Sequence, residues 1–102
     1  MALEISGFSF EGPFASTDDL MDRSGVYVIV GSTASGYSPV DCGESAAVKS
    51  RVSAHERATC WQRRHSGTLM VAVLYTPGQQ KAARVAIEAR IRRDFGFPCG
   101  KI

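Results

Sequence analysis

Four side chains of this sequence have the types and the spacing to cut a phosphodiester. Tyr27 closes a Gly25-Val26-Tyr27 run, Arg51 and His55 stand four residues apart, and Glu88 is a lone carboxylate inside a second helical pattern. An arginine fork can hold two phosphate oxygens and stabilise the charge that develops on them in the transition state. A histidine one helical turn on can bond phosphate or carry a proton, because its reference pKa of about 6.5 lies near physiological pH. A tyrosine can orient or deprotonate the attacking water, with help from a metal or a neighbour because its own pKa is near 10. A single carboxylate suits magnesium, which keeps most of its waters and takes one or two protein oxygens plus substrate phosphate.

Each of these residues also has an ordinary structural reading. Arg51 and His55 would make an exposed helix face, with Arg51 free and His55 paired to Glu56 or a backbone carbonyl. Tyr27 would be packing in a strand, its hydroxyl finding a partner if buried. Arg84, Glu88 and Arg92 are spaced by fours and would form an ion-pair ladder worth roughly a few tenths of a kcal/mol per pair. Taken by itself, the last helix favours the ladder. The four residues taken together favour the phosphodiester chemistry.

The elements that must position these groups come from a short chain. Its 102 residues and 11.0 kDa leave no room for a second core, so one domain over 1–102 is expected, with the motif-bearing part at about 24–99. Hydrophobic content of 44% and charged content of 22% speak against a disordered chain. No apolar run approaches the ~18 residues of a membrane span. Met1-Ala2-Leu3-Glu4 lacks the basic and then apolar stretches of a signal peptide, so a cytoplasmic location and no membrane partner are expected.

Three cysteines, Cys42, Cys60 and Cys99, leave one over after any single disulfide, and free thiols in a cytosolic protein are the simpler account. A zinc site drawing on them with His55 and His65 is disfavoured, because no Cys-x-x-Cys pair exists. Cys42 precedes a helix start, where a thiol can become more acidic, and a thiol-based role is a third and weaker idea.

The net charge of +2 permits a phosphate partner without demanding one. Its distribution says more. Lys49, Arg51, Arg57, Arg63 and Arg64 cluster near His55 and His65, and Arg84, Arg90, Arg92 and Arg93 crowd the last helical stretch. Arginine is the better bidentate partner for phosphate; a solvated charged surface is the alternative.

Phe8-Ser9-Phe10 alternates as a short strand would, and Gly12-Pro13 should break it. Ser16 to about Arg23 reads as a short helix opened by Ser16-Thr17-Asp18-Asp19. Val26 to Val30 is a β-branched run expected as a central strand, Ser32 to Pro39 a hairpin loop, and Val40-Asp41-Cys42 the returning strand ended by Gly43. Ser45 can cap a helix from Ala46 to about Thr59, and residues 60–67 read as a loop. Thr68 to Tyr75 is a buried strand. The last helix is expected from about Gln79 to Phe95, with Val85, Ile87, Ile91 and Phe95 inward, then Gly96 and an extended tail Phe97-Pro98-Cys99-Gly100. The sum is an α+β domain: a small three-stranded antiparallel sheet flanked by helices.

The pattern resembles the GIY-YIG nuclease family. Gly25-Val26-Tyr27 matches the first tripeptide with valine for isoleucine, and Gly43-Glu44-Ser45 matches the glycine of the second and the polar pair after it. Arg51 and His55 fall at the positions of the family's helix arginine and histidine, and Glu88 in Arg84-Val85-Ala86-Ile87-Glu88 looks like its metal-binding glutamate. Two features depart: Asp41 stands where the second tyrosine would be, and the asparagine common after the metal helix is missing. The resemblance implies a GIY-YIG endonuclease-like fold and an endonuclease using Mg2+ or Mn2+. Tyr27 would position or activate the water, Arg51 with His55 would hold the scissile phosphate, and Glu88 would bind the metal. Gly43, Lys49 and Arg84 are expected on the substrate-binding side. The partner is expected to be nucleic acid, DNA first, with a protein partner or a second copy of the chain also open. The rival expectation is an inactive module of the same fold that binds nucleic acid or a protein. Asp41 itself would then be either a metal or water ligand in an altered mechanism, or a mark of lost activity.

Overall fold

The structure, a computed structural model, describes residues 2–65 and 67–99. Five strands, β1 (Ala2–Ile5), β2 (Phe8–Phe14), β3 (Gly25–Thr33), β4 (Gly36–Ser45) and β5 (Leu69–Tyr75), form one antiparallel sheet in the order β1-β2-β5-β3-β4. The helices are α1 (Val48–Ser53), α2 (Ala58–Arg64) and α3 (Lys81–Phe95). The fold is α+β, but the sheet has five strands and not the three expected. The two extra strands are the β1–β2 hairpin, which pairs with β5 through β2. β1 had no period-2 signal long enough to read, and β2 runs on through Gly12-Pro13 with a register shift between Glu11 and Phe14.

β3 carries an apolar residue at every position from Val26 to Val30 because both faces of the sheet are covered. Tyr27, Ile29, Val71 and Val73 pack under Val48, Val52 and Trp61 of α1 and α2. Val26, Val28, Val30, Cys42 and Ala72 pack on the other face against Ile91 of α3 and Phe97. Between Ile29 and Val30 the β3–β4 register shifts, a bulge that sets Val40 and Asp41 side by side. Val40 packs in the α1/α2 cluster, and Asp41 bonds Trp61 of that cluster.

The helical expectations need correction in three places. The single helix foreseen from Ala46 to Thr59 is two short ones, broken over residues 54–57, and residues 60–64 are helix, not loop. Ser45 ends β4; its Oγ accepts from Ala47 N at 2.9 Å, but Ala47 holds the N-cap position of α1. The short helix near Ser16 is one 3-10 turn, Thr17–Asp19, with Ser16 Oγ accepting from Asp18 N. On α3 only part of the expected inward stripe is inward: Ile91 is buried and Ile87 half-buried, while Val85 and Phe95 face solvent at 46% and 45% exposure. Gly96 closes α3 in the left-handed conformation at φ 60°, as its place after the last helical residue predicts. Gly100 of the expected tail lies outside the described residues.

Cys60 and Cys99 form a disulfide and Cys42 is free and buried, so the expectation of free thiols fails for two of the three cysteines. The argument from free thiols to a cytosolic protein lapses with it. No helix among the described residues is long and apolar enough to cross a membrane.

Candidate functional site

Tyr27 projects from the middle of β3 toward α1 and α2, and its hydroxyl oxygen lies 2.6 Å from His55 Nε2. Both side chains are buried, Tyr27 to 1% and His55 to 7% exposure. His55 sits in the break between α1 and α2, and the chain's turn there brings the Arg57 backbone N–H to its Nδ1 at 3.1 Å. A nitrogen that accepts a hydrogen bond carries no proton, so in the neutral ring the hydrogen belongs on Nε2. His55 therefore donates to the Tyr27 oxygen, and the phenol keeps its own proton for another acceptor.

Electrostatics hold this pair uncharged. Burial, reinforced by the Arg57 and Arg51 charges, pushes the His55 pKa down to about 4. Burial likewise pushes the Tyr27 phenol up to about 12, against the pull of Arg51 and Arg57. The Asp41 and Glu88 charges add smaller upward contributions. The structure brings Tyr27 and His55 into contact, with Arg51 charged beside them; Glu88 makes no hydrogen bond or ion pair with any of the three, and its helix covers the opposite face of the sheet.

Arg51 is not free. Its NH1 and NH2 fork onto Glu56 Oε2 and Oε1 at 2.5 and 2.8 Å, which holds the Glu56 carboxyl down at about 2 and raises the guanidinium. Glu56, expected as a partner for His55, approaches it only to 3.7 Å. Glu88 takes a hydrogen bond from Arg92 Nε on Oε2 at 2.9 Å. That is half of the ladder; Arg84 turns away to Glu44 at 2.9 Å, Arg84 buried and Glu44 partly so. Gly43 lies opposite Tyr27 in the register and is itself buried, so its contribution is space for the ring. Lys49 lies half-buried on α1.

The centre of the cluster is a residue the family pattern does not contain. Asp41 is fully buried, and its carboxylate is surrounded by donors: Cys42 N at 2.8 Å and Arg92 NH2 at 2.9 Å on Oδ1, Arg57 Nε and Trp61 Nε1 at 2.7 Å each on Oδ2. It cannot base a water or bind a metal without giving these up, which removes that role from the sequence reading. Deleting the carboxylate would strand two guanidiniums and an indole, at a cost of about 3–5 kcal/mol. The Cys42 carbonyl, on the open edge of β4, accepts from Arg57 NH2 at 3.4 Å and from Arg92 NH2, so the two arginines also cover the strand edge.

Trp61 escaped the sequence reading because residues 60–67 looked like a loop, and Arg57 was read only as one of a basic cluster. Their spacing of four is a helical signal once α2 is known. Cys42, the thiol singled out for reactivity, is pushed up to about 12, chiefly by burial, which makes it inert.

Among the described residues no three of His, Cys, Asp and Glu come together as a metal cluster. Glu88 offers a hard cation one carboxylate, a quarter exposed and already ion-paired to Arg92 through Oε2, so a metal there would have to compete with that guanidinium. A cleft of about 450 Å³ opens at the start of β3, lined in part by Met21, Arg23, Ser24, Ala46 and Tyr75; the four candidate residues are not among those that line it.

No family model, curated protein or solved structure matches the chain. Its function has to be argued from the geometry.

Proposed function

We propose that this chain binds nucleic acid and hydrolyses phosphodiester bonds with Mg2+ or Mn2+, in the manner of the GIY-YIG nucleases it resembles. The observation that carries the reading is the Tyr27–His55 hydrogen bond, with the Arg51 charge acting on the same phenol. His55 Nε2–H fixes the Tyr27 oxygen, and the phenol proton is left to orient a water. Arg51 releases Glu56 to fork onto the scissile phosphate, an exchange of one bidentate anion for another. Glu88 would be the residue to hold the metal, in exchange for its ion pair with Arg92, and the metal would supply Lewis acidity. Affinity rests on arginine and lysine contacts to phosphate, so it falls steeply with salt.

The second reading is a binding module without catalysis. It is favoured by a specific observation: Arg51 and Glu88 are both ion-paired within the chain. A plasmid-nicking assay with Mg2+ or Mn2+ separates the two. Metal-dependent nicking that disappears in Glu88→Ala and in Arg51→Ala supports the nuclease. Nucleic-acid binding without nicking, retained in Glu88→Ala, supports the module.

A further inference from the structure

We infer that Asp41 is a positioning residue for His55, acting through Trp61 and Arg57; its bearing on catalysis rests on the reading above, in which the Tyr27–His55 pair orients the water. The segment that carries His55 has little of its own to hold it. It lies between helices of six and seven residues, too short to be stable by themselves, and no side chain caps the N-terminus of either. The restraint comes from β4. Asp41 Oδ2 accepts from Arg57 Nε and from Trp61 Nε1, each at 2.7 Å. Arg57 gives its backbone N–H to His55 Nδ1 at 3.1 Å, and the Trp61 indole lies against the imidazole with ring centroids 4.6 Å apart. One carboxylate oxygen thus holds both neighbours of the ring: the donor that sets its tautomer and the plane that keeps water off it.

Asp41 suits the task because it is itself fixed. It is fully buried, and its other oxygen is held by Cys42 N and Arg92 NH2 at 2.8 and 2.9 Å. The indole N–H is the one polar group of the Trp61 side chain, so its bond to Oδ2 stops the ring from swinging off His55. Water admitted to Nδ1 could donate or accept there, and the tautomer would no longer be chosen. The Nε2–H that meets the Tyr27 oxygen at 2.6 Å depends on that choice.

Position and charge make opposite predictions. The charged groups acting on His55 are Arg51 of α1, Glu56 and Arg57 of the break, and Asp41 of β4, with the uncharged Tyr27 phenol facing it from β3. The Asp41 charge by itself favours the protonated imidazole, so losing the charge alone drives the His55 pKa further down. Losing the tether admits water and relieves the burial that is the largest cause of the lowered value, which drives it up. The rival anchor is the Cys60–Cys99 disulfide, one residue from Trp61 on α2.

The test is a pH titration of the full chain, read from the ring nitrogen and proton resonances of His55. It is run on the parent, on Asp41→Asn, and on a chain in which benzothienylalanine replaces Trp61, the single tryptophan. The analogue puts sulfur in place of the indole N–H, so it keeps the ring outline and every charge and deletes only the bond to Asp41. The parent should show neutral His55 in the Nε2–H form. Both altered chains should show mixed tautomers and bind the His55 proton about tenfold more tightly. In the nicking assay above, the acid limb of the rate should move up in pH with His55. A His55 pKa that falls in Asp41→Asn, with the analogue chain parent-like, overturns the positioning role and leaves the charge alone. Parent-like tautomer and titration in both chains overturn it too, and assign α2 to the disulfide. If circular dichroism shows Asp41→Asn unfolded, the analogue chain decides alone. A parent that does not nick, or that nicks equally well as His55→Gln, sinks the nuclease reading, while the resonances still judge the positioning.

Discussion

Tyr27 and Gly43 face each other across β3 and β4 so closely that a Cβ on Gly43 would stand 2.5 Å from Tyr27 Cζ and nearer still to the hydroxyl oxygen. Glycine is required here for room, since only a residue without a side chain lets the ring lie against the strand. The same ring position delivers the hydroxyl to His55. Gly43→Ala should therefore displace the phenol and break the Tyr27–His55 bond, with an overpacking cost of about 1–3 kcal/mol. Ring proton resonances of His55 followed against pH give the check. Burial is the largest cause of its lowered pKa, so a displaced phenol that opens the pocket to water should let the value rise from about 4. An unchanged His55 titration would mean that the ring had room to spare.

His55 also predicts how stability depends on pH. Its folded pKa, about 4, lies below the unfolded value of 6.5. Between those two values the unfolded chain binds the extra proton, so acid pulls the equilibrium toward unfolding. The stability due to the neutral imidazole is complete above about pH 6.5 and is lost as the pH falls toward 4. A shift of this size corresponds to something on the order of 3 kcal/mol. Urea unfolding at pH 7 and pH 4.5 should show most of that loss in the parent and little of it in His55→Gln. The depressed carboxyl of Glu56 acts in a lower window, from about 4.5 down to about 2, and survives in that variant.

Local signals carried much of the architecture and stopped where tertiary context took over. The β-branched run from Val26 and the apolar run ending at Tyr75 were legible as strands because both faces of the sheet are buried there. Ala2–Ile5 was not, because its outward positions are exposed and only Ile5 is fully buried. Pro13 argued against a strand that in fact continues through a register shift. The helix break at His55 was hidden by apolar spacing that stays helical across it. That break matters most for the site, since it is what turns Nε2 toward Tyr27 and the Arg57 N–H toward Nδ1. The ion pairs of Arg51 and Arg92 were half-legible as four- and five-residue spacings. The Asp41 hub joins residues 16 and 51 positions apart, and no local pattern announces it.

The cysteines separate cleanly by chemistry. Cys60 and Cys99 close a loop with a sequence separation of 39, tying α2 to the segment after α3. Removing that link in Cys60→Ser/Cys99→Ser should lower stability by about 4 kcal/mol on the chain-entropy estimate, read from guanidinium unfolding. Cys42 should stay silent to a thiol reagent in the folded, unreduced chain, because it is buried and its thiol is pushed up to about 12. One thiol should appear on unfolding without reductant. A rapid reaction in the native state would contradict the packing of Cys42 against α3.

Arg51 gives the sharpest contrast between the two functional readings. Its guanidinium is committed to Glu56 in a two-bonded fork, and Glu56 is exposed. Any phosphate that uses Arg51 must compete with that carboxylate. Glu56→Gln leaves a neutral side chain of the same shape that still accepts one hydrogen bond but no longer holds the charge. Nucleic-acid affinity should then rise, by no more than about fivefold because exposed ion pairs are weak competitors. The gain should shrink as salt is raised, since screening weakens phosphate contacts as well as the ion pair. Arg51→Ala combined with Glu56→Gln should erase it. A Glu56→Gln chain that binds no better than the parent, at low salt and by the same fluorescence-anisotropy titration, would show that Arg51 serves Glu56 and the helix turn, not a phosphate.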